Sequence, residues 1–90
     1  MPYPISEKTG RVLEGHAVTK PGKWWEAVVL LESPIGKKKI GIFKWENVGG
    51  TTTQTANWKR RQYLYINKEE HFKAVLKGLK DMGAELGWDA

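Results

Sequence analysis

Two runs decide the fold: Lys37-Lys-Lys-Ile-Gly-Ile-Phe-Lys-Trp-Glu46 and Trp58-Lys-Arg-Arg-Gln-Tyr-Leu-Tyr-Ile66. Both follow the period of two that sends successive side chains to opposite faces of a strand. In the first run Ile40 and Ile42 take one face, and Lys37, Lys39, Phe43 and Trp45 take the other. In the second, Leu64 and Ile66 oppose Lys59, Arg61, Tyr63 and Tyr65. As neighbours, the two strands show cations and rings together on one face. A solvent face needs no rings, and a core tolerates few cations. A surface with both offers charge for phosphates and flat rings for bases, the combination that binds single-stranded nucleic acid. A slip of one residue would exchange the faces and put Trp58, Arg60 and Gln62 in place of the tyrosine pair.

The rest of the chain supplies two more strands and a helix. Residues 1–10 hold two prolines and no periodic pattern, and read as an N-terminal arm that is ordered only if something ties it down. Residues 11–90 read as a single nucleic-acid-binding domain. Arg11 to Thr19 can form a first strand. After the turn signal Lys20-Pro-Gly-Lys23, Trp24 to Glu32 (WWEAVVLLE) is almost continuously apolar and reads as a central strand buried on much of both faces. Residues 47–57 form a polar, hydroxyl-rich connection to the fourth strand.

The helix follows directly. Asn67 is a favoured N-cap, and Glu70 three positions on can close a capping box. Phe72, Val75, Leu76, Leu79, Met82 and Leu86 recur at helical spacing on one face. Glu69 with Lys73, and Lys77 with Asp81, are spaced for i,i+4 pairs. Gly83 reads as the residue that ends the helix. The fold class is therefore α+β, a four-stranded antiparallel sheet followed by one C-terminal helix (β-β-β-β-α). The helix is expected to lay its apolar stripe on Ile40, Ile42, Leu64 and Ile66. The opposite face of the sheet is then uncovered.

Composition narrows the function. Fifteen Lys and Arg against ten Asp and Glu give a net charge of +5, which favours an anionic partner. Five tryptophans are more than a 90-residue core can hide, so some are expected at a half-exposed surface. There is no cysteine, which excludes disulfides and thiol chemistry. No apolar run approaches the roughly 20 residues of a membrane span, and the expected setting is intracellular, cytoplasmic or nucleoid. The many Lys and Glu fit a thermophile.

The other candidate sites favour ordinary readings. The adjacent Trp24 and Trp25 must point to opposite faces, one to the core and one available to extend the binding face near Lys20 and Lys23. Thr51-Thr-Thr-Gln-Thr55 offers donors for phosphates or base edges but reads as a solvated loop. His16 and His71 stand alone, without the neighbours a metal site needs. Glu14 and Glu26 lack a nucleophile or second base nearby, so no enzyme and no cofactor are expected.

The strand order, the Lys-rich hairpin, the strand Trp58-Lys-Arg-Arg-Gln-Tyr-Leu-Tyr-Ile66 and the helix opening Asn67-Lys-Glu-Glu-His-Phe72 resemble the single-stranded DNA-binding domain of positive cofactor four. The chain is also similar to the archaeal ThermoDBP-related proteins. The resemblance covers about residues 11–82. It implies a homodimer built partly through the helix face around Phe72, Leu76 and Leu79. It also assigns Lys37, Lys39, Phe43, Trp45, Lys59, Arg61 and Tyr63 to DNA; the sheet pattern adds Tyr65. The expected function is non-enzymatic, sequence-tolerant binding of single-stranded DNA. An RNA-binding module, or an assembly subunit whose aromatic face is an interface, are the alternatives.

Overall fold

The computed structural model describes residues 3–19, 21–49 and 57–88; Lys20 and the run Thr51 to Thr55 lie outside them. Strands β1 (Arg11–Ala17), β2 (Trp24–Glu32), β3 (Lys38–Asn47) and β4 (Trp58–Ile66) precede the helix α1 (Glu69–Glu85). The strands form one antiparallel sheet in the order β1-β2-β3-β4. The alternation read from the sequence is the one the sheet adopts over β3. Ile40, Ile42 and Lys44 face one side, while Phe43 and Trp45 face the other.

The two faces differ in kind. On one, here the Trp face, Trp25, Ala27, Val29, Leu31, Phe43 and Trp45 form the buried core. Their rings interlock: Phe43 stacks on Trp45 at 5.3 Å between centroids, and Trp25 lies 5.3 Å from Trp45. Gly41 makes room for this packing, because a Cβ there would sit 2.5 Å from Phe43 Cε2. Tyr3 and Ile5 of the N-terminal segment pack onto the same cluster, so side-chain stacking ties the segment down.

On the other face, here the Ile face, Val28, Leu30, Ile40 and Ile42 are half-buried, and Leu64 is 42% exposed. The continuous apolarity of Trp24 to Glu32 thus reflects one sealed face and one partly open face. Trp24 and Trp25 divide accordingly, Trp24 being 41% exposed on the Ile face and Trp25 3% exposed in the core.

The helix corrects the expectation that it covers the sheet. Among the described residues it meets only β4, and none of its residues is buried. A hollow of about 300 Å³ separates Phe72 from Leu30, Ile40 and Ile66. The seal on the sheet is instead on the Trp face, supplied by its own rings and by Tyr3 and Ile5.

Both helix ends also differ from the sequence reading. The N-cap is Lys68 in an extended conformation, with no side-chain cap, so Asn67 does not play that part; Glu69 and Glu70 favour the positive end of the helix dipole. The helix runs past Gly83 to a Schellman ending. Gly87 takes φ +75°, its N–H donates to the Ala84 carbonyl, and the Trp88 N–H donates to the Gly83 carbonyl at 2.8 Å. The i,i+4 pairs Lys73–Glu69 and Lys77–Asp81 form as expected.

Removing a ring from the sealed face should be costly, and removing one from the open face should not. Trp45→Ala is expected to lower unfolding free energy by about 3–5 kcal/mol. Trp24→Ala should lower it by less than about 1 kcal/mol. Urea unfolding followed by circular dichroism checks both.

Candidate nucleic-acid interface

The eight residues singled out from the two strand runs do not form one surface. Phe43 and Trp45 are 2% and 1% exposed. They are core, and no base can reach their faces. The sequence pattern gave them the correct side of the sheet, but that side closes on itself where β2 and β3 pair. Trp25 sits opposite Trp45 and Ala27 opposite Phe43, so the rings pack on one another.

Lys59 and Arg61 are also displaced from the expected cluster. A bulge in the β3–β4 pairing falls between Lys44 and Trp45, so Gln62 pairs with Lys44 but Arg60 pairs with Trp45. One extra residue in β4 reverses the parity of everything before it. Lys59 pairs with Glu46 and shares its Ile face. Arg61 is held by the Glu46 carboxylate, with Nε and Nη2 each 2.8 Å from Oε1. Lys23 approaches the same carboxylate at 3.5 Å. Lys37 lies in the β2–β3 turn rather than in β3, its N–H donating to Ser33 Oγ.

Three of the eight do come together. Tyr63 and Tyr65 lie on the Trp face of edge strand β4, with ring centroids 5.1 Å apart at 50°. Lys39 Nζ sits 4.0 Å above the Tyr65 ring. Tyr63 is 54% exposed, while Tyr65 is half-buried against Phe43 at 5.8 Å.

The bulge brings a fourth member that the primary strand reading left off this face. The Arg60 guanidinium lies 4.1 Å above the Tyr63 ring, and its Nη1 is 3.5 Å from the Tyr65 hydroxyl. Strict alternation puts Arg60 opposite Tyr63. Only the inserted residue lets both share a face, and nothing in the run Trp58–Ile66 announces the bulge. The row Lys39–Tyr65–Tyr63–Arg60 therefore alternates a cation, two rings and a cation. Cation–π contacts of this kind hold the rings in place at exposed sites by about 0.5–1 kcal/mol each.

A second group of cations lies beyond Lys39. Lys37, Lys38, Lys39 and Lys68 line a hollow of about 750 Å³ where the β2–β3 turn meets the start of the helix. No carboxylate pairs with any of these four among the described residues, in contrast to Arg11, Lys23, Lys44 and Arg61. Four ammonium groups that outnumber the neighbouring carboxylates, Glu32 and Glu69, make this corner favourable for anionic groups.

Among the described residues no group of three or more His, Cys, Asp or Glu could hold a metal. Among the same residues no helix is long and apolar enough to cross a membrane. No family model, no curated protein and no solved structure matches this chain.

The Glu46–Arg61 pair carries a pH dependence. The Arg61 hydrogen bond, helped by the charges of Arg61 and Lys23, holds the Glu46 carboxyl below its ordinary range. A depressed carboxyl stabilises the fold above its unfolded pKa, and that contribution is lost as pH falls through the folded value. Glu46→Gln should therefore lose stability at neutral pH, and the gap to the unchanged protein should close as pH drops below the usual carboxylate range. Thermal unfolding at neutral and acid pH reads this directly.

Proposed function

We propose that the chain binds single-stranded nucleic acid, with DNA as the first expectation, along the β4 edge of the Trp face. One observation carries this reading: the Tyr63–Tyr65 ring pair, partly exposed and bracketed by Arg60 and Lys39. Rings of this kind stack on unpaired bases whatever their identity, and flanking cations track the phosphates. Duplex bases already stack on each other, so an unpaired strand gains most from such a platform. The lysine corner at Lys37, Lys38 and Lys68 extends the cationic path past Tyr65. Binding requires no chemical step, and the role is that of a holder of unpaired strands.

The active form proposed is a homodimer. Phe72, Leu76, Leu79, Met82 and Leu86 line the apolar side of the helix and are 40% to 65% exposed. An amphipathic helix takes most of its stability from packing that face. Here the stripe is bare, and the half-buried Ile face with its hollow lies beside it. A second copy offers the same two surfaces in return, as a two-fold interface requires. Glu substitutions at Leu79 and Met82 together are expected to convert a dimer into a monomer in light scattering after gel filtration. A wild-type mass of one chain would contradict the dimer.

Titration of oligothymidylate against intrinsic fluorescence tests the binding reading. Tyr63→Ala is expected to weaken binding by roughly 1–3 kcal/mol while leaving the salt dependence nearly unchanged. Arg60→Ala should flatten the plot of log K against log salt by about 0.7, the share of one phosphate contact on a single strand. Folded variants that bind as the unchanged protein does would place the interface elsewhere. A DNA and an RNA oligonucleotide of one sequence, run in competition, rank the two polymers.

A further inference from the structure

The β2–β3 hairpin ends in an apolar tip set among lysines. Its loop, Pro34-Ile35-Gly36, is closed by hydrogen bonds across its base. The Ser33 N–H donates to the Lys37 carbonyl at 2.7 Å, the Gly36 N–H donates to the Ser33 carbonyl at 2.9 Å, and the Lys37 N–H donates to Ser33 Oγ at 3.1 Å. Gly36 takes φ +83°, a left-handed conformation that suits glycine, and Pro34 fixes its own φ. The loop is therefore stiff. Ile35 at its summit is 78% exposed, more than any other large apolar side chain among the described residues. Tight turns favour Gly, Asn, Asp or Ser at such places. The fold gains little from an isoleucine here, because its side chain stays in water.

The tip adjoins the proposed binding path. Pro34 and Ile35 line the same hollow of about 750 Å³ as Lys37, Lys38, Lys39 and Lys68. Lys39 links that hollow to the ring pair, with its Nζ 4.0 Å over the Tyr65 ring. Tyr65 pairs with Gly41, so about 14 Å of β3 separates Lys37 from the level of the rings. Lys39 stands within that interval. An unpaired strand can thus run from the tip, past the lysines, to Tyr65 and Tyr63. Cations along this path account for affinity toward phosphates. They do not account for an apolar side chain held rigidly at its head. In DNA recognition that combination acts as a wedge: an Ile, Leu, Met, Phe or Pro enters a base step while neighbouring cations hold the backbone.

We propose that Ile35 is such a wedge, and that the preferred ligand is a junction where a duplex opens into a single strand. The inference rests on the nucleic-acid reading above and names its substrate. Ile35 packs on the last base pair, in place of the stacking neighbour that a junction lacks. Lys37 and Lys38 meet phosphates at the fork. One strand passes over Lys39 to the tyrosine pair, and the other turns away. An anionic membrane also accepts an apolar tip among lysines. One branched side chain buries little area in a bilayer, however, and the path from the tip to Tyr65 has no part in that reading.

The test measures affinity for a stem-loop duplex carrying a 5′ or 3′ thymidylate tail, for the same tail alone and for the blunt stem. A 2-aminopurine in the last pair of the stem reports unstacking. The better tailed stem is expected to bind roughly three- to tenfold more tightly than the tail alone, the worth of burying one partly desolvated aliphatic side chain. Its 2-aminopurine fluorescence should rise on binding. Ile35→Ser should abolish the preference and the rise while leaving affinity for the tail unchanged, and Ile35→Phe should retain both. Equal affinity for tail and tailed stem, or a preference and a rise that survive in Ile35→Ser, would overturn the wedge and leave the β4 platform standing. Binding to phosphatidylserine vesicles that Ile35→Ser abolishes, without any junction preference, would overturn it in favour of a membrane surface. Failure of the unchanged protein to bind the tail at all would remove the platform and the wedge together.

Discussion

The stack of Phe43, Trp45 and Trp25 across β2 and β3 is the contact on which the molecule depends. A single sheet with a bare helix has little else to bury. Each of these rings removes a large apolar area from water, and offset or tilted pairs add about 0.5–1.5 kcal/mol beyond that area. The stack fixes the register of the two central strands, because a slip of β3 by one residue would send Phe43 and Trp45 to the Ile face, away from Trp25 on β2. It also positions what lies beside it. Tyr65 leans its edge on Phe43, Tyr63 lies against Tyr65, and Trp58 and Tyr3 close on Trp25. The proposed platform is therefore the exposed margin of a core and borrows the rigidity of that core.

This arrangement divides the aromatics by distance from the sheet centre. At Trp45 and Phe43 neighbours surround the rings on every side. At edge strand β4 there is a neighbour on one side only, so Tyr63 stays open. Cations follow the same division. Lys39 and Arg60 lie over tyrosine rings at the margin, where their charged ends reach water while their stems cover apolar surface. Arg61 and Lys23 neutralise Glu46 and add to the fold. Which basic residues are available to a polyanion is thus decided by where the acids are engaged: Glu32, opposite Lys38 across β2 and β3, pairs with Arg11 instead.

Much of this was legible in the sequence. The boundaries of β2 and β4 and the order of all five elements follow from alternation and turn residues, because Trp24–Glu32 and Trp58–Ile66 are bounded by Gly, Pro or polar segments. The partition of Ile40 and Ile42 from Phe43 and Trp45 also follows. The depth of burial did not. A period-two pattern says which residues share a face and not what covers it, and here the apolar helix stripe wrongly suggested that the covered face was the isoleucine one. The bulge at Lys44 and Trp45 was equally invisible, since no Gly or Pro marks it. It removed Arg61 and Lys59 from the expected cluster and added Arg60. The docking of Tyr3 depended on the space left by Gly15 in the strand that follows, a relation that hydrophobic periodicity does not express.

The central claim is that the β4 margin of the Trp face, not the Ile face or the helix, meets nucleic acid. Backbone amide chemical-shift mapping of the labelled protein with a short oligothymidylate addresses it most directly. The account predicts shifts concentrated at Lys39, Arg60, Tyr63 and Tyr65, with Val28, Ile42 and Leu79 little changed. Shifts concentrated on the Ile face or along the helix stripe, with the tyrosine pair silent, would contradict it.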